Sequence, residues 1–185
     1  VLQSWAHCDG LDGPVVEAAR KALETKNINL VLVWVQKDDE VEIKRVFAHT
    51  LAVRGLAAEA RELADRFFFE SLVRIHRAGE GAAFTGLKPA GRDLGPAIPA
   101  ADKALREGKL KPLADLLAET ITQSLHRHFE EALSRRDYRT DDVEAGRAFV
   151  KAYVEYIHFV EALHDSAAAS AHGHFADAPA AHEHR

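Results

Sequence analysis

The chain has 185 residues, 47% apolar and 29% charged, with a formal net charge of -5. That length suits one domain with a sizeable core. The acidic balance argues against nucleic acid or an anionic membrane as the main partner, since both demand a basic surface. The longest apolar run, Ile28 to Val35, is interrupted by Asn29 and falls short of the roughly 20 residues that span a bilayer, so no transmembrane segment is expected.

Two features of the composition stand out: 11 His and no Met, with Val at position 1. The opening Val1-Leu2-Gln3-Ser4-Trp5-Ala6 reads as the end of a secretory signal, because Ser4 and Ala6 are small residues three and one before a cut. Cleavage after Ala6 leaves His7 as the mature N-terminus and predicts an exported protein, periplasmic or extracellular. Cys8 stands alone, so an internal disulfide is excluded.

Next in chain order, Asp12 reads as the N-cap of a first helix opened by Gly13-Pro14, with Val15, Ala18, Ala19, Ala22 and Leu23 at helical spacing. Asn27-Ile28-Asn29 breaks it. Residues 28–36 have β-branched character but no partner strand, and are read as a short buried helix. Asp38 or Asp39 caps a helix carrying Val41, Ile43, Val46, Phe47, Thr50, Leu51 and Val53, closed by Gly55. A long helix, Ala57 to Ala78, carries Leu63, Ala64, Phe67, Phe68, Leu72, Val73 and Ile75 and stops at Gly79.

A Gly- and Pro-rich loop then runs from Gly79 to about Pro99, long enough to suggest function. A short helix is expected over Ala100–Glu107 and a longer one from Lys111 to Arg135. Thr140-Asp141-Asp142 with Glu144 signals the start of a last helix, Val143 to His164. After Asp165 the composition turns to Ala, Ser, Gly, Pro and His, which predicts a disordered tail over 166–185. Nothing reads as a βαβ unit. The fold class expected is all-α, an antiparallel helical bundle over 7–165.

The sharpest motif is His7-Cys8-Asp9-Gly10-Leu11-Asp12-Gly13. An N-terminal His offers amine and imidazole to one metal ion, and Cys8 adds a thiolate. Such donors suit Ni or Cu best, with Fe or Zn within range. This hook resembles the opening of nickel superoxide dismutase, a helical bundle that also begins His-Cys-Asp after processing. The resemblance is carried by His7, Cys8, Asp9 and Gly13. It implies a mononuclear nickel site and superoxide dismutation. The family's second cysteine falls on Asp12 here and its tyrosine on Val15, so one of the two thiolates is missing. Nearly the whole chain is also similar to an uncharacterised family of exported bacterial helical proteins. That family shares the start His7-Cys8-Asp9 and a block like Arg74-Ile75-His76-Arg77-Ala78-Gly79-Glu80-Gly81, and it implies no established activity.

Further ligands are expected on the helices. Glu155 and His158 form a Glu-x-x-His pair on one helical face. Ferritin-like di-iron bundles need two such pairs, and only one exists here. His158 is expected half buried, and His76, near Phe69, Leu72 and Val73, inward. Glu70 shares a stripe with Leu63 and Phe67, where a carboxylate needs a partner or a metal. One arrangement gathers Glu70, His76, Glu155 and His158 around the hook. For each residue taken singly, the simpler account is a core histidine bonded to a core carboxylate. His126 and His128 lie about 200° apart on a helix and cannot share a metal. His49 and His164 read as surface residues.

The pairs His172/His174 and His182/His184 suit loose metal capture. Arg74, Arg77, Lys88 and Arg92 around the Gly loop suit a small anion. No hydrolase, Walker or Rossmann motif is present.

Three functions follow: an exported metalloprotein with a redox site at His7 and Cys8, in which Asp9 or Asp12 assists and His76 or His158 completes the set; a non-catalytic metal buffer or chaperone; and a metal-free helical interaction module.

Overall fold

The structure, a computed structural model, describes residues 7–169. The expected signal remnant at 1–6 and the His pairs of the tail lie outside the described residues. Within them the chain is all-α: α1 (Pro14–Thr25), α2 (Asn29–Leu32), α3 (Glu40–Val53), α4 (Ala58–Gly79), α5 (Ala97–Glu107), α6 (Lys111–Leu133) and α7 (Val143–Ala168). Short 3-10 turns cover His7–Asp9 and Lys37–Asp39. The last helix therefore runs four residues past His164 into the segment read as tail. No helix among the described residues is long and apolar enough to cross a membrane.

The helices form two compact units that divide between Asp93 and Leu94. In the first, α1 packs on α2 and α4, and α3 on α4. Its core is built from Val15, Val16, Ala19 and Leu23 of α1, Val31 of α2, Ile43, Val46 and Phe47 of α3, and Phe68, Leu72 and Val73 of α4. The sets in α1, α3 and α4 include three- and four-residue spacings, which is why these segments are helices with one buried stripe. Phe68 is fully buried, its ring 5.4 Å from that of Phe47. Arg54, at the end of α3, ties three helices together. It binds both carboxylate oxygens of Asp65 on α4, at 2.8 and 3.0 Å, and donates to the Leu23 carbonyl of α1 at 3.2 Å.

The second unit is built differently. Helix α6 packs along α7 and on α5, but among its described residues only Ala132, Gly146 and Ala152 are buried. Contacts are aromatic and partial: His128 on Phe159 (4.8 Å), Phe129 on Tyr156 (5.9 Å) and Tyr138 on Phe149 (5.7 Å).

Several local expectations are corrected. Gly13, not Asp12, is the N-cap of α1, and the Asp12 carboxylate turns instead to the Gly91 N–H at 2.7 Å. Asp39 holds the cap position of α3, but its side chain makes no capping bond. Asp142 does cap α7, accepting from the Ala145 N–H at 3.0 Å. Leu63 and Phe67 of α4 are exposed, so the stripe that carries Glu70 is a surface stripe.

Candidate metal centre

The His7–Asp9 turn and the residues after it fold back onto the first unit. The Leu11 N–H donates to the Lys88 carbonyl at 2.9 Å and the Lys88 N–H to the Asp9 carbonyl at 2.8 Å, a parallel bridge between Gly10 and Lys88. Asp12 clasps Gly91 three residues further along the same loop. Cys8 and Leu11 rest on the apolar core. Gly81, at φ +69°, supplies the left-handed turn that ends α4 and sends residues 82–93 back toward the hook.

Three side chains stand at the end of α4, His76, Arg77 and Glu80, and of these Arg77 reaches the hook at Asp9. His76 and Glu80 are one turn apart and so share a face. His76 is buried at 3% exposure. Its Nδ1 lies 2.8 Å from the Trp34 carbonyl, and its Nε2 lies 3.3 Å from Glu80 Oε1. The latter is an ion-pair distance without hydrogen-bond alignment. Arg77 Nη1 donates to Glu80 Oε2 at 2.7 Å, and Arg77 Nε lies 3.6 Å from Asp9 Oδ1. A chain of polar contacts therefore runs Asp9–Arg77–Glu80–His76–Trp34, with Asp9 itself 5% exposed.

The charges act on the hook. Burial pushes the Cys8 thiol from an ordinary 9.0 up to about 11, reinforced by the carboxylates of Glu80 and Asp9 and opposed by Arg77. Burial also raises the Asp9 carboxyl, against the pull of Arg77, Lys88 and Arg92. The Gly91 N–H holds the Asp12 carboxyl below its usual value.

Of the expected ligands, His7, Cys8, Asp9 and His76 belong to this part of the fold, and Asp12 serves as its clasp. Glu70 does not join them: it lies half exposed with Arg66 Nε at 3.2 Å, so its need for a partner is met at the surface. Glu155 and His158 lie in the second unit at exposed positions of α7, Glu155 beside Lys151 at 3.9 Å. The half-buried His158 of the sequence reading is therefore corrected, because the α7 stripe that holds it is not covered. His126 and His49 are exposed and His128 half buried, in line with their spacing. Among the described residues no three His, Cys, Asp or Glu side chains already stand at metal-binding separation.

Sequence reasoning missed Glu80 and the inward role of Arg77. The signal was the four-residue spacing from His76, obscured because Glu80 sits between Gly79 and Gly81 and read as loop. The anion rim expected around the Gly loop is partly spent: Arg74 pairs with Glu42 at 2.9 Å, and Arg77 with Glu80.

Fold and site together define an all-α protein whose N-terminal segment is pinned by a buried ionic cluster at the end of its longest core helix. Residues 12–159 match the model of a family of unknown function, DUF6448, and the chain belongs to that family. The match begins after His7, Cys8 and Asp9. No curated protein and no solved structure matches the chain.

Proposed function

We propose that the protein binds one transition-metal ion where the hook meets α4, with His76 Nε2 and Glu80 as a preset pair and Cys8 as the soft donor. His7 and Asp9 stand beside them on the same turn. The observation that carries this reading is the setting of His76. The Trp34 carbonyl can only accept, so Nδ1 donates to it, which leaves Nε2 as the nitrogen that a metal would take. Metal-binding histidines are commonly oriented this way, by a carbonyl on the far nitrogen. With bonds of about 2.1 Å to each ligand, an Nε2–Oε1 separation of 3.3 Å subtends roughly 105° at a metal, close to tetrahedral.

Cys8 completes the set by moving in and giving up its proton, which metal binding drives. Arg77 then releases Glu80 and keeps Asp9. Thiolate and imidazole favour nickel or copper over harder ions. One thiolate and one imidazole also suit a one-electron couple, so superoxide dismutation or electron transfer is the activity to assay.

The test uses Trp34, whose ring lies 5.8 Å from that of His76. In a Trp5→Phe chain ending at Ala169, titration with Ni²⁺ or Cu²⁺ is expected to quench Trp34 at one equivalent. His76→Gln and Cys8→Ser should each weaken binding at least tenfold. Binding that disappears with the tail, or that ignores both substitutions, overturns the site and leaves tail-based buffering.

A metal-free interaction module is the second reading. It is favoured by exposed apolar side chains along α6 and α7, among them Leu117, Ile121, Val150, Tyr153 and Ile157.

A further inference from the structure

A cleft of about 560 Å³ opens between α1, the first half of α4 and residues 87–89. Its size falls in the range of small-molecule sites. Leu11, Phe69 and Leu87 give it apolar walls, and Arg20, Arg61 and Lys88 line it with positive charge. The Arg20 guanidinium lies 4.9 Å over the Phe69 ring and makes one long hydrogen bond, 3.4 Å to the Leu11 carbonyl. Its position is thus set by the ring, while most of its five donors stay unspent.

The nearby acids do not cancel these charges. Asp65 is held on both oxygens by Arg54. Arg66, also at the cleft, is engaged by Glu70. Lys88 donates to the Thr85 carbonyl, an uncharged partner. Among the described residues neither Arg20 nor Arg61 has a carboxylate partner within 4.0 Å, and Glu62 is the one lining acid not held by an arginine.

We infer that this cleft binds a small organic oxyanion, a carboxylate or phosphate carried on an apolar ring, with Arg20 and Arg61 on the anion and Leu11 and Leu87 against the ring. The site is separate from the metal proposal and is tested on metal-free protein.

Calorimetric titration of the full chain, treated with chelator, would compare phenyl phosphate, benzoate and inorganic phosphate. Phenyl phosphate is expected to bind saturably at one site, at least tenfold more tightly than inorganic phosphate. The relative affinity of benzoate tells carboxylate from phosphate preference. Arg61→Gln should weaken binding about tenfold, and Glu62→Gln should strengthen it, an effect that unfolding cannot mimic. Equal binding of phenyl phosphate and inorganic phosphate, indifference to both substitutions, or no saturable binding at millimolar concentration would each overturn the inference.

Discussion

Cys8 is the residue where burial and charge act together most directly. Its thiol titrates near 11 instead of 9.0, so at pH 8 the folded protein holds about 100-fold less thiolate than the unfolded chain. Alkylation by iodoacetamide at pH 8 should be slower by about that factor in native protein than in denaturant. On the proposed metal reading, added Ni²⁺ or Cu²⁺ should slow it further while releasing a proton. The folded state holds this proton more tightly than the unfolded one. Its contribution to stability is therefore complete below pH 9 and lost as pH climbs toward 11. Denaturant midpoints of the native chain should fall relative to Cys8→Ser across that window. The inward direction of His76 was legible in the sequence through Leu72 and Val73. Glu80 as its partner was not. That pairing depends on α4 continuing through Gly79, and two glycines in three residues gave no local sign of it.

At the scale of elements, the entry into α1 decides whether the hook can seat. Gly13 has an ordinary backbone conformation, but a Cβ there would lie 2.1 Å from the His7 carbonyl oxygen and 3.1 Å from that of Gly10. Gly13→Ala must push the 7–10 turn away from the helix. It should cost about 1–3 kcal/mol, the range for overpacking a tight site, read as a lowered denaturant midpoint. Cys8 alkylation should speed up in the same variant. Here the sequence was legible in part. Gly13-Pro14 marks the helix start correctly, because Pro suits the first turn. Asp12 was misassigned as the cap because its actual partner, the Gly91 N–H, is 79 residues away, and no local rule finds it.

For the molecule as a whole, burial is unevenly shared. The apolar core lies in the first unit, whereas α5, α6 and α7 bury few side chains among the described residues. Amide hydrogen exchange of the intact protein should show it. Amides in the middle of α1, α3 and α4 are expected to exchange about tenfold or more slowly than those in the middle of α6 and α7. Equal protection throughout would contradict the picture. Helical periodicity made the all-α class legible along the entire chain. It could not reveal the division at Asp93, because an apolar stripe looks the same in sequence whether or not another helix covers it. Leu63 and Phe67, exposed on α4, show the same blindness on a smaller scale.

The bridge between Gly10 and Lys88, together with the clasp from Asp12 to Gly91, has a consequence for the integrity of the chain. The 82–93 segment carries many exposed positions, and a protease that cuts it would leave every core helix whole. The residues that pair with the hook, Lys88 and Gly91, would nonetheless no longer be tied to the end of α4, and the hook's hold against Arg77 would loosen. A single nick between Ala82 and Lys88 would thus unsettle the 7–10 turn from a distance, and the wound would be invisible to circular dichroism yet plain in the reactivity of one thiol.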